Sequence, residues 1–200
     1  MTPATAHAPI AVALDAPDLE TAARWASLVK PHVSTLKVGL ELYLRYGPDA
    51  IASLRGGSRT EIFLDLKLHD IPATVAGATR AVARLKPTYL TVHATGGTDM
   101  IRAAVEAAPL TKIAAVTVLT SLNDADLEAV GLAGPASDAV RRLAVLSVGA
   151  GAQALVCSPQ EAAAVRAEVG PGITLITPGV RPAGSAADDQ SRVSTPEQAL

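Results

Sequence analysis

Seven times between Ile10 and Thr177 a short apolar run gives way to a longer segment with helical spacing. The runs are Ile10–Asp15, Thr35–Leu40, Glu61–Asp65, Tyr89–Ala94, Ile113–Leu119, Ala154–Cys157 and Ile173–Thr177. Runs of this length read as buried strands, and strands that alternate with helices read as a parallel sheet. Between them, Asp18 is an N-cap candidate for a helix with Leu19, Ala22, Ala26 and Val29 on one face. Glu41–Leu54 is helical but interrupted at Gly47-Pro48, and Ile71–Leu85 places Val75, Ala78, Val82 and Leu85 together. Further helices are expected up to Ala107, over Ser137–Gly149 and from Pro159, with a short acidic segment at Asn123–Glu128. The near-regular repeat predicts an α/β chain of the (β/α)8 TIM-barrel class, whose active sites lie at the C-terminal strand ends. A doubly wound open sheet is the alternative, and the absence of a G-x-G-x-x-G stretch favours the barrel.

Composition narrows the class. Two hundred residues suit one domain, 1–200, and 49% hydrophobic with only 2% aromatic content means a core of Ala, Val, Leu and Ile. Seventeen basic residues against nineteen acidic ones, without a basic block, make nucleic acid or an anionic membrane surface an unexpected partner. Cys157 is the only cysteine, which excludes an intrachain disulfide and fits a reducing compartment. Met1–Pro9 has neither the basic nor the apolar region of a signal peptide, and no apolar run approaches the ~18 residues of a membrane span. A soluble cytoplasmic protein is expected. Thr195-Pro196-Glu197-Gln198 reads as a helix start two residues before the last one. With about seven strands where a closed barrel has eight, the expectation is a C-terminally truncated barrel.

The chemistry concentrates in Ile62–Thr74, where an apolar run delivers Asp65, Lys67 and Asp70 to a helix opening at Pro72. On an extended strand Asp65 and Lys67 share a face. A structural reading exists for each: Asp70 as an N-cap, Asp65 and Lys67 as an ion pair at a strand end. Yet a barrel would also collect Asp15, Lys37, His93, Thr120, Ser121, Arg181 and Gln190 at its strand ends. His93 reads as a structural histidine and Arg181 and Gln190 as possible surface residues. Joint position, not any single side chain, points to a site.

Nine consecutive residues, Leu64-Asp65-Leu66-Lys67-Leu68-His69-Asp70-Ile71-Pro72, resemble the signature of the orotidine 5'-monophosphate decarboxylase family. Leu14-Asp15, Lys37–Leu42, Val92-His93-Ala94, Leu119-Thr120-Ser121, Val156-Cys157-Ser158, Thr177–Arg181 and Asp189–Val193 follow it in order and spacing. The resemblance implies that Lys67 donates a proton, with Asp65 beside it near the substrate carboxylate. Lys37 and Asp70 would complete an alternating charge chain. Asp15 and Lys37 would hold ribose hydroxyls, Thr120 would contact the pyrimidine, and Pro178, Arg181 and Gln190 would belong to a closing loop. Asp70, Ile71 and Thr74 would enter the neighbouring subunit's site, which implies a homodimer. No cofactor and no metal are implied. The family's phosphate-gripping Gly-Arg pair after strand eight has no counterpart here, so weak phosphate binding is expected of these 200 residues.

The residue types suit that reaction. Loss of CO2 from C6 of orotate leaves a carbanion with no good delocalising partner, so a fixed ammonium that can also give up a proton is apt. Metal-dependent relatives, such as 3-keto-L-gulonate 6-phosphate decarboxylase and hexulose-phosphate synthase, share Asp-x-Lys-x-x-Asp but carry an acidic residue where this chain has Lys37. A cation there repels Mg2+. A non-catalytic barrel remnant that dimerises through the motif is the reading of a different class.

Overall fold

Seven parallel strands pair in the order in which they occur along the chain: β1 (Ala8–Ala13), β2 (Val33–Gly39), β3 (Glu61–Leu68), β4 (Tyr89–His93), β5 (Lys112–Val116), β6 (Ala154–Val156) and β7 (Thr174–Ile176). They belong to a computed structural model that describes residues 7–58, 60–180 and 195. A doubly wound sheet reverses its strand order at a switch point. Sequential order without reversal is the winding of a (β/α)8 barrel, here a curled sheet of seven strands among the described residues.

The helices are α1 (Leu19–Val29), α2 (Leu40–Tyr46), α3 (Pro48–Arg55), α4 (Pro72–Ala83), α5 (Gly97–Ala107), α6 (Asp124–Ala129), α7 (Ala136–Gly149) and α8 (Ala162–Val169). Asp18 caps α1 by accepting from the Thr21 amide at 2.7 Å, as its sequence position predicts. Gly47, at φ 54°, ends α2, and Pro48 opens α3 at the position where a missing N–H costs nothing. The acidic segment becomes α6, with Asn123 and Asp126 capping each other reciprocally.

Alternation along the strands sorts side chains onto two faces. Leu36, Val38, Ile62, Leu64, Leu90, Val92, Ile113, Ala115 and Leu155 pack outward with Ala22, Ile51, Val75, Ile101, Val140 and Val165 of the helices. The intervening residues face inward. Phe63, Ala114 and Ala154 form a small inner cluster with Tyr89, Val156 and Ile176, in which Phe63 and Tyr89 meet edge-to-face at 6.0 Å. Farther toward the C-terminal strand ends the same inward positions are polar: Lys37, Asp65, Thr91 and His93. An apolar plug therefore sits beneath a charged rim.

Two expectations need correction, and one structural alternative falls away. β1 stops at Ala13, so Asp15 lies in the loop beyond the strand rather than at its end. β3 continues past Asp65 to Leu68, and it is not regular there. From Leu64 to Leu68 it takes four residue steps against two on β4, from Leu90 to Val92, and Lys67 sits at φ 48°. Because the excess is an even number, the inward and outward sets survive the bulge. Finally, Asp70 is not the N-cap of α4. Ile71 occupies that position without a side-chain cap, and Asp70 Oδ1 accepts from the Ile71 amide at 2.6 Å.

Candidate active site

Four charged side chains run in alternating order across the ends of β1, β2 and β3. Lys37 Nζ lies 3.4 Å from both Asp15 carboxylate oxygens and 3.8 Å from Asp65 Oδ2. Lys67 Nζ lies 2.9 Å from both oxygens of Asp65. Burial deepens toward the centre, since the side chain of Asp15 is 62% exposed, Lys37 22% and Asp65 12%. A carboxylate this enclosed has an ammonium on each side to balance its charge, whereas Lys67, 32% exposed, keeps donors open to the rim.

The backbone that presents this row is shaped to do so. Gly39 pairs with Asp65 in the β2–β3 register, and a Cβ on it would stand 2.9 Å from Asp15 Oδ1. Only a hydrogen leaves room for Asp15 to reach Lys37. On the other side, Thr91 of β4 is fully buried and its Oγ1 lies 3.0 Å from Asp65 Oδ1 and 2.8 Å from the Lys67 backbone nitrogen. His93, two residues on, packs its ring against His69 with centroids 5.3 Å apart. Burial foremost, then the nearby His69 and Lys67 charges, lowers the pKa of His93, while Asp65 opposes them.

The other candidates fall in three groups. Asp70, Ile71 and Thr74 are exposed at the start of α4, and among the described residues Asp70 makes no ion pair with the Asp15–Lys67 row. Asp70, Ile71 and Pro72 line an open groove with His69, Thr95 and Gly96. Thr120 is buried just past β5, and Pro178 follows β7 half-buried. Arg181 and Gln190, and the helix start at Pro196–Gln198, lie outside the described residues. Gly39, His69 and Thr91 were not among the predicted site residues. For Thr91 a signal existed: it shares the inward face of its strand with His93 at the two-residue spacing.

Among the described residues no three His, Cys, Asp or Glu side chains are grouped as metal ligands, and no helix is long and apolar enough to cross a membrane. Asp15 and Asp65 have the Lys37 ammonium between them, 3.4 Å from one carboxylate and 3.8 Å from the other.

Residues 8–200 match the family model described as orotidine 5'-phosphate decarboxylase / HUMPS family. An orotidine 5'-phosphate decarboxylase of Thermobifida fusca is 76% identical over 193 residues, spanning 96% of this chain and 83% of the relative. One from Frankia casuarinae is 59% identical over 216 residues, spanning 100% of this chain and 79% of the relative. The crystal structure of orotidine 5'-phosphate decarboxylase from Lactobacillus acidophilus superposes with a TM-score of 0.79 at 33% identity, covering 96% of this chain and 84% of that one.

Proposed function

This chain belongs to the orotidine 5'-phosphate decarboxylase / HUMPS family, and from that membership we propose that it converts orotidine 5'-monophosphate to uridine 5'-monophosphate, the last step of de novo pyrimidine synthesis. The observation that carries this reading is the alternating row Asp15, Lys37, Asp65, Lys67 at the strand ends, with the Lys67 ammonium 2.9 Å from Asp65.

In the proposed reaction the C6–carboxylate bond breaks, CO2 departs, and the electron pair remains on C6. A proton from Lys67 Nζ then forms the C6–H bond of the product, and solvent restores the ammonium. No cofactor is needed, because the ammonium both stabilises the developing carbanion and supplies the proton. Asp65 orients that ammonium through both of its oxygens. Asp65 also meets the substrate carboxylate at close range, which favours the charge-neutral CO2 over the bound anion. Lys37 and Asp15, at the open end of the row, suit ribose hydroxyls, since one donates and the other accepts. Thr120, Pro178, Arg181 and Gln190 are assigned to base and phosphate contacts on the family pattern.

The same reading places Asp70, Ile71 and Thr74 in the neighbouring subunit's site of a homodimer. Their support is position: all three are exposed beside an open groove, and Ile71 leaves an apolar side chain 67% exposed. A cytoplasmic location follows from the substrate and is supported by the single, buried cysteine.

The metal-dependent branch of the family is disfavoured by Lys37, whose ammonium stands where a cation between Asp15 and Asp65 would have to sit. The test is the loss of orotidine 5'-monophosphate absorbance in the presence of a chelator, with Lys67→Ala as control. Turnover that survives chelation and vanishes in Lys67→Ala is the expected result. Folded protein without turnover, or turnover requiring Mg2+, would overturn the assignment.

A further inference from the structure

The bulge in β3 leaves the chain between Leu64 and Leu68 out of register with β4, so the ordinary ladder is broken where Lys67 sits. Its amide still needs an acceptor in a half-buried place. That acceptor is not a backbone carbonyl but the Thr91 hydroxyl, 2.8 Å away. The direction of the next bond follows from chemistry. An ionised carboxylate only accepts, so the single Thr91 hydroxyl hydrogen goes to Asp65 Oδ1 at 3.0 Å, and the Oγ1 lone pairs take the Lys67 N–H.

One oxygen atom therefore ties together both ends of the pair. It fixes the backbone of Lys67 in its left-handed conformation, and it fixes the carboxylate that Lys67 Nζ grips 2.9 Å away. Thr91 is fully buried, and a β-branched side chain on a strand has a restricted χ1, so this oxygen has little freedom to wander. Serine could supply the same hydroxyl with more rotational freedom. Valine would fill the same space and supply neither bond.

We propose that Thr91 is a positioning residue for the decarboxylation, setting the Lys67 ammonium and the Asp65 carboxylate in register with the reacting carbon. The proposal rests on the reading of Lys67 as proton donor, and it adds a residue that touches neither substrate nor product.

The experiment compares the parent chain with Thr91→Val, Thr91→Ser and Lys67→Ala, using orotidine 5'-monophosphate turnover and exchange of the Lys67 backbone amide by NMR, each after folding has been verified. Thr91→Val is expected to lower kcat about 100-fold with KM changed less than about threefold, the cost typical of a small misplacement of a reacting group. Thr91→Ser should recover most of kcat. The Lys67 amide should exchange faster in Thr91→Val than in either the parent or Thr91→Ser. A folded Thr91→Val protein with parental kcat, or with unchanged Lys67 amide exchange, overturns the proposal. Full activity in Lys67→Ala would instead remove the assignment of Lys67 as donor. If the parent shows no turnover, the amide comparison alone decides whether Thr91 holds Lys67.

Discussion

Lys67 reaches both carboxylate oxygens of Asp65 at 2.9 Å from a backbone held at φ 48°, a left-handed conformation that a side chain with a Cβ rarely adopts. Two variants that each delete the ammonium separate the backbone cost from the charge. Lys67→Ala keeps a Cβ in the strained region, whereas Lys67→Gly does not. We expect the glycine variant to be the more stable by about 1 kcal/mol, the reverse of their order in a regular strand. Urea unfolding of the two proteins measures this directly. An alanine variant at least as stable as the glycine one would mean that the left-handed turn carries no strain.

Gly39 acts on the other end of the row. Its φ is ordinary at −86°, so the demand for glycine is one of space: a Cβ would lie 2.9 Å from Asp15 Oδ1. The Asp15 side chain is 62% exposed, so the contact in Gly39→Ala is relieved by Asp15 swinging away from Lys37. Gly39→Ala should thus weaken uridine 5'-monophosphate binding about tenfold, as expected for a lost hydrogen bond to a charged group, and Asp15→Ala should do the same. Because both act through one carboxylate, the double variant should bind no more weakly than either single one. Titration calorimetry on the three proteins tests it, and additive losses would show that Gly39 acts elsewhere.

Much of this was legible in the sequence because it follows from period and chemistry. The parallel repeat of strand and helix, the shared face of Asp65 and Lys67, the Asp18 cap and the break at Gly47-Pro48 all have local causes. So does the gathering of Asp15, Lys37, Asp65 and Lys67, since each lies in the C-terminal half of its strand or just beyond it. The bulge had no such signal. Leu64-Asp65-Leu66-Lys67-Leu68 alternates like a regular strand, and nothing in a lysine announces a positive φ. Thr91 did carry a signal, its two-residue spacing from His93, but threonine is common in strands for its shape alone and the signal does not stand out. The position of Asp70 depends on what α4 does next. Pro72 and the Ile71 amide contact left the capping role unfilled by a side chain, which spacing could not foretell.

His93 makes stability depend on pH in a definite direction. Burial, with His69 and Lys67 nearby and Asp65 opposing, holds its folded pKa below the unfolded value of about 6.5. The unfolded chain therefore binds the proton more readily, and stability complete above about pH 6.5 is lost as the pH falls through the folded pKa. His93→Asn cannot take up this proton. Its unfolding free energy, measured by urea titration, should fall less steeply than the parent's between about pH 7 and 5, with a difference in slope of at most about 1.4 kcal/mol per pH unit, the limit for one proton. Parallel pH profiles would mean that His93 titrates alike in both states.

Among the described residues Thr79 and Thr91 are fully buried under opposite conditions, and the same substitution should move stability in opposite directions at the two. Thr91 has both hydrogen-bonding roles of its hydroxyl engaged, to Asp65 and to the Lys67 amide. Thr79, on the face of α4 turned to the core, has no hydrogen-bond partner for its Oγ1 among the described residues. Valine replaces the hydroxyl with a methyl group of nearly the same size. At Thr91 it strands an amide and removes a donor from a carboxylate, a cost of about 1–3 kcal/mol. At Thr79 it removes only the desolvation penalty of an unsatisfied hydroxyl. Helix propensities of the two residues are similar, so a gain of about 1 kcal/mol is expected there. Chemical denaturation of Thr79→Val and Thr91→Val side by side controls for volume and branching. A destabilised Thr79→Val would show that the Thr79 hydroxyl has a partner in solution, a buried water being the simplest.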